Sequence, residues 1–141
     1  MTPDELAKKY DVVSLGLAKE LKEAGVPQDK SLWYWVDFPL TPYLVMKCLS
    51  GYIDVMTGAF VNLGESSLHP LVATFHSGEL GEKLPNGITT VQSGNEFIPI
   101  SVDSVQILEF YEKLKSNTEA NARAKMVLYL LNKGIIKKED L

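Results

Sequence analysis

One cysteine, two histidines and no uninterrupted apolar run of membrane-spanning length define what this chain lacks. Cys48 stands alone, which excludes an internal disulfide framework and a cysteine-based zinc site and fits a reducing compartment. Its expected role is that of a buried small hydrophobe. The stretches around Val36–Met46 and Leu49–Leu63 are broken by Asp37, Pro39, Pro42, Gly51, Asp54 and Gly58, too often for a bilayer span. The opening MTPDEL is acidic and has no apolar core of a signal peptide, so a cytoplasmic location is expected. Basic excess is missing too. The net charge is −4 and the pI near 5.2, which argues against a general nucleic-acid binder, since that needs a basic face for phosphates. Arg123, Lys125, Lys133, Lys137 and Lys138 therefore read as a solvated face.

What is present is an ordinary globular composition. At 141 residues, 45% hydrophobic and 23% charged, one domain over residues 1–141 is expected. The most organised stretch is Ser116–Ile136. Ala120, Ala124, Val127, Leu128, Leu131 and Ile135 recur with the 3.6-residue helical period, and Ala122, Met126, Tyr129 and Leu130 widen the stripe. Ser116 with Glu119 and Thr118 with Asn121 compete as its cap. Glu119 precedes Arg123 by four residues, a surface pair contributing about 0.2–0.5 kcal/mol. Gly134 supplies a left-handed stop, after which Ile135 can fold back on Leu130.

Earlier in the chain, Thr2-Pro3-Asp4-Glu5 starts a short helix to about Tyr10. Ser14–Ala24 is amphipathic, with Leu15, Leu17, Ala18, Leu21 and Ala24 apolar, ended by Gly25 and Pro27. LWYWV, Leu32–Val36, is a β-prone aromatic run. Its alternation puts Trp33 and Trp35 on one face and Leu32, Tyr34 and Val36 on the other. Tyr43–Cys48, Tyr52–Val55 and Ala59–Leu63 are further strand candidates, and Ser66–Pro70 reads as loop. Thr74–Leu84 favours a helix capped by Thr74 and stopped before Pro85, although each internal glycine lowers helicity by about 1 kcal/mol. Ile88–Gln92 and Glu96–Val102 form a hairpin around Ser93-Gly94-Asn95. Val105–Leu114 fits helix or strand, and the hairpin before it favours strand. Lys137–Leu141 reads as a frayed tail. The fold class expected is α+β, an antiparallel sheet covered on one face by helices including a buried C-terminal helix.

The candidate chemistry is thin. His76 and Glu79 lie three apart and would share a helix face, a spacing that serves a metal or a proton-transfer pair, with His69 as a possible third member. No Gly-x-Ser-x-Gly elbow, phosphate loop or dinucleotide glycine pattern is present. This points away from an enzyme and names no cofactor. A second candidate is the aromatic group Trp33, Tyr34, Trp35 and Tyr43. Exposed on one strand face it would bind a protein partner or a second copy, because such residues dominate interface hot spots. The competing expectation is that Trp33 and Trp35 pack into the core against Ala120, Ala122 and Ala124.

Three stretches, SLGLAKELKEAGVPQDKSLWYW from Ser14, ATFHSGELGEKLP from Ala73 and TEANARAKMVLYLLNKGII from Thr118, occur in an order that resembles a family of small uncharacterised proteins of bacterial genomes, phages and prophages. The pattern is a Ser-Leu-x-x-Ala-Lys-x-Leu-Lys helix, a Tyr-Trp strand, a Glu-Leu-Gly-Glu-x-Leu-Pro helix and an Ala-Asn-Ala-Arg-Ala-Lys-Met final helix. The chain departs from it between Phe38 and Pro70. The resemblance implies helix at Thr74–Leu84 and strand at Val105–Tyr111, and it implies no activity. The function expected is a non-catalytic interaction module of phage or mobile-element origin. The alternative is a metal-binding protein or small enzyme using His76 and Glu79.

Overall fold

Thr2 opens the first helix with a complete capping box. Its hydroxyl accepts from the Glu5 N–H at 3.2 Å, and the Glu5 carboxylate reaches back to the Thr2 N–H. In this computed structural model, which describes residues 2–37, 42–49, 51–61, 71–85, 87–101 and 114–141, that helix is α1, Pro3–Tyr10. It is followed by α2, Leu15–Glu23, with Leu21 and Ala18 turned inward. The expected helices at both places are present with these bounds.

Five antiparallel strands then build the main sheet: β1 Trp33–Val36, β2 Tyr43–Cys48, β3 Gly51–Asp54, β4 Phe60–Val61 and β5 Leu71–Thr74. Their order is β4-β3-β2-β1-β5, so the aromatic strand β1 lies between β2 and β5. Helix α3 covers Ser77–Lys83, the hairpin strands are β6 Ile88–Ser93 and β7 Glu96–Ser101, and α4 runs Glu119–Asn132. Helices pack on the sheet, giving an α+β fold. Among the described residues no helix is long and apolar enough to cross a membrane.

β5 is a strand where no strand was expected. LVAT is short and its last three residues are buried, so it shows no alternation. Its outer edge is closed by α2 and the turn after it. Gln28 Oε1 accepts from the Ala73 N–H at 2.9 Å, and Lys22 Nζ donates to the Leu71 carbonyl at 3.3 Å. The middle helix consequently begins later than Thr74. Thr74 is a buried strand residue whose hydroxyl donates to the Val13 carbonyl at 2.7 Å.

The last helix takes Thr118, not Ser116, as its cap, with Thr118 Oγ1 accepting from the Asn121 N–H at 3.2 Å. It buries Ala120, Ala122, Ala124, Met126, Val127 and Leu130. Its main neighbours are α2, α3 and the β6–β7 hairpin. The stop is a Schellman turn: Gly134 adopts φ 72°, the Gly134 N–H bonds Leu131 and the Ile135 N–H bonds Leu130. The backbone folds back as expected, but the Ile135 side chain is 62% exposed. The tail is not frayed. Lys138–Asp140 forms a 3-10 turn, the Lys138 stem lies against Gly25, and Leu141 is buried with its carbonyl accepting from Lys83 Nζ at 3.1 Å. Of the sequence expectations, the loop at Ser66–Pro70, His69 and most of Val105–Leu114 lie outside the described residues.

Candidate functional site

The aromatic strand divides by face. Trp35 is fully buried, and its indole N–H donates to the Val13 carbonyl at 2.9 Å in the α1–α2 connection. This bond fixes which face the helices cover. Trp33 lies on that same face beneath Tyr10 of α1, with ring centroids 6.0 Å apart, and is half-buried. On the opposite face Tyr34 is 5% exposed. Its hydroxyl donates to the Gln28 carbonyl at 2.9 Å, and its ring meets Tyr52 edge-on at 5.7 Å. Tyr34 and Trp35 are therefore core residues and cannot meet a partner. Both edges of β1 are paired because it is an inner strand, and at Tyr34 and Trp35 both of its faces are covered. Tyr43 is half-buried at the start of β2. The α1–α2 connection holds the indole N–H of Trp35, and the ring belongs to the same buried cluster as Ala120 and Ala124 of the last helix.

Burial raises the Tyr34 phenol above its ordinary value, helped by the negative charge of Tyr52, Asp29 and Glu79. Burial does the same to Tyr43, with Asp54 adding to it. A raised folded value means the neutral phenol is favoured in the fold. That contribution is complete below the unfolded tyrosine value of about 10 and is lost as pH climbs through the folded values. In an alkaline titration followed by phenolate absorbance, Tyr34 and Tyr43 are expected to ionise late, and Tyr34→Phe to remove one of these late steps.

The metal or proton-transfer pair dissolves into a helix cap. His76 is not inside α3; it is its N-cap. Nδ1 accepts from the Gly78 N–H at 3.0 Å, while the Glu79 carboxylate accepts from the His76 backbone N–H at 3.1 Å. The three-residue spacing was real, but it serves a capping box, in which each side chain satisfies the other's end of the first turn. Among the described residues no group of three or more His, Cys, Asp and Glu side chains gathers where a metal could sit. His76→Ala is expected to cost about 1 kcal/mol, with most of it restored by His76→Asn, a good cap without an imidazole. Urea unfolding of both variants checks this.

One polar group escaped the sequence reading and a second was read only in part. Asp11 closes α1 in the left-handed region, φ 50°, ψ 48°. Its carboxylate accepts from the Ala120 N–H at 3.1 Å and from the Ser77 hydroxyl, and its carbonyl accepts from the Ser77 N–H at 3.1 Å. One side chain thus ties the end of α1 to the starts of α3 and α4. Arg123 forms the second group. It pairs with Glu119 at 2.6 Å as expected, and it also donates to the Ser77 carbonyl at 2.6 Å and to Thr90 Oγ1 at 3.3 Å. Its side chain is 16% exposed, so it is an internal clamp and not part of a solvated face. The clamp explains a glycine that weakens α3: a Cβ at Gly81 would stand 2.6 Å from Arg123 Nη1. Both groups are satisfied within the fold and hold elements in place.

The exposed chemistry is apolar. The strand register sets Trp33 opposite Met46, Met46 opposite Ile53, and Ile53 opposite Phe60. These four side chains share the helix-side face and form one row across β1 to β4. Burial falls along it. Trp33 lies half-covered by α1, whereas Met46, Ile53 and Phe60 are 37%, 37% and 58% exposed. At the far end the Phe60 ring lies over Gly51, where a Cβ would come within 2.7 Å of it. Cys48, expected in the core, is half-exposed on the same face. Lys9 stands over the Tyr10 ring at 5.4 Å, which gives the Trp33 end a cationic rim. No family model, curated protein or solved structure matches the chain, so the functional reading rests on this geometry.

Proposed function

We propose that the chain is a non-catalytic interaction module that receives an apolar surface of a partner protein on the row Trp33–Met46–Ile53–Phe60. The observation that carries this is the exposure of three large apolar side chains in one cross-strand register, next to an aromatic residue. Scattered surface hydrophobes are ordinary, but a contiguous row marks a contact. The row spans about 14 Å at the usual strand spacing, which suits a single segment of a partner better than a broad sheet-to-sheet face. Lys9 favours an acidic group at the border of that segment. The lone Cys48 and the resemblance to phage and prophage proteins support action in a bacterial or phage-infected cytoplasm.

The test places a photo-reactive residue at position 53, with a control at Lys47 on the other face. The protein captured from position 53 is then purified and rebound. Phe60→Lys is expected to weaken that rebinding at least tenfold. Equal capture from both positions, or unchanged rebinding by Phe60→Lys, contradicts the proposal. Capture of the chain by itself would assign the row to self-association instead.

A further inference from the structure

Among the described residues a second open surface lies away from the sheet row, between α2 and the second half of α4. Leu17 and Ala24 form one wall with Glu20, and Leu128, Leu131 and Lys125 form the other, around a groove of about 690 Å³. The reason it exists is in the α4 sequence. Met126 to Leu131 is apolar nearly all round. Met126, Val127 and Leu130 turn into the core, which leaves Leu128 and Leu131 half-buried on a separate face. A helix apolar on so many sides is normally covered on each of them.

We infer that the cover is a second copy of this chain, related by a two-fold axis running along the groove. The argument is charge. Each wall carries one charged residue in the groove lining, and the two are opposite: Glu20 on α2, Lys125 on α4. A two-fold along the groove lays α2 of one protomer on α4 of its partner, and the reverse. Glu20 of each copy then meets Lys125 of the other, so one pairing is made twice, as an isologous contact requires. Glu20 is exposed and has no ion-pair partner among the described residues. Among the described residues Lys125 Nζ donates to the Lys115 carbonyl at 3.1 Å, an exposed bond that leaves two ammonium protons available. The leucines supply the attraction, and the charges fix which helix lies on which.

The test is charge exchange read by sedimentation equilibrium of the full chain. The native chain is expected to dimerise. Glu20→Lys sets like charges together twice, and Lys125→Glu does the same, so each alone is expected to weaken the dimer at least tenfold. The double variant E20K/K125E restores opposite pairs and with them the dimer. Mixing the two single variants is the sharpest arm, because every cross-pair is then opposite in sign and a heterodimer should form where neither variant self-associates. Glu20 is exposed and Lys125 half-buried, and circular dichroism confirms that each variant is folded. A native chain that stays monomeric at all concentrations overturns the inference. So do single variants that dimerise like the native chain, or a double variant and a mixture that restore nothing.

Discussion

Replacing Trp35 with alanine is expected to destabilise the fold by about 3–5 kcal/mol, the range for removing a fully buried aromatic side chain. That is a large part of the about 5–15 kcal/mol available to an ordinary domain. The expectation follows from position. Trp35 lies on an inner strand, is fully buried among Leu44, Val72 and the α1–α2 connection, and donates its indole N–H to Val13. The Val13 carbonyl keeps the Thr74 hydroxyl as a second donor, so the loss is mostly the ring's volume and not an orphaned acceptor. Trp33→Ala makes the contrast. It removes a half-buried ring at the margin and is expected to cost under about 2 kcal/mol. Chemical unfolding of the two variants measures the difference directly, and similar costs would show that the strand does not divide as described.

The second large effect is expected at Asp11. Asp11→Ala removes two hydrogen bonds to a carboxylate, from Ala120 and Ser77, each of a kind that contributes about 1.5–3 kcal/mol. It also leaves an alanine at φ 50°, where aspartate and asparagine are better tolerated. Because the two bonds share one group, their effects do not add fully, and about 3–5 kcal/mol is expected. Asp11→Asn keeps the backbone preference and one acceptor oxygen, and Ser77 can turn from donor to acceptor, so a loss near 1 kcal/mol is expected. Hydrogen exchange should localise the damage in Asp11→Ala to the first turns of α3 and α4, the ends that the carboxylate joins.

How much of this was visible in the sequence depended on whether the signal was local. Caps and periodicity placed α1, α2 and α4, and short strand-prone runs between turn residues placed β2 and the hairpin, because each of these is set by residues within a few positions of one another. β5 was not visible: Leu71–Thr74 is too short and too buried to alternate, and Thr74 imitates a helix cap. His76 and Glu79 were singled out correctly as a pair, but sequence spacing does not tell a histidine one residue before a helix from one inside it. The role of Asp11 depends on partners sixty-six and more positions away. The only local hint was a polar residue, tolerant of the left-handed region, between a helix and Val12-Val13. The aromatic strand drew attention for its composition, and only Trp33 of its three aromatics reaches the open row. The rest of that row, Met46, Ile53 and Phe60, emerges only when the register joins residues seven apart in sequence. No pattern within one strand marks it.

The account turns on that row being surface kept for a contact and not a part of the core. The most direct measurement is urea unfolding of the purified double variant Ile53→Lys/Phe60→Lys. The account predicts a stability within about 1 kcal/mol of the native chain, as for changes at exposed positions. A loss of about 3 kcal/mol or more, the size of a core truncation, would contradict it, because the row would then be holding the fold together.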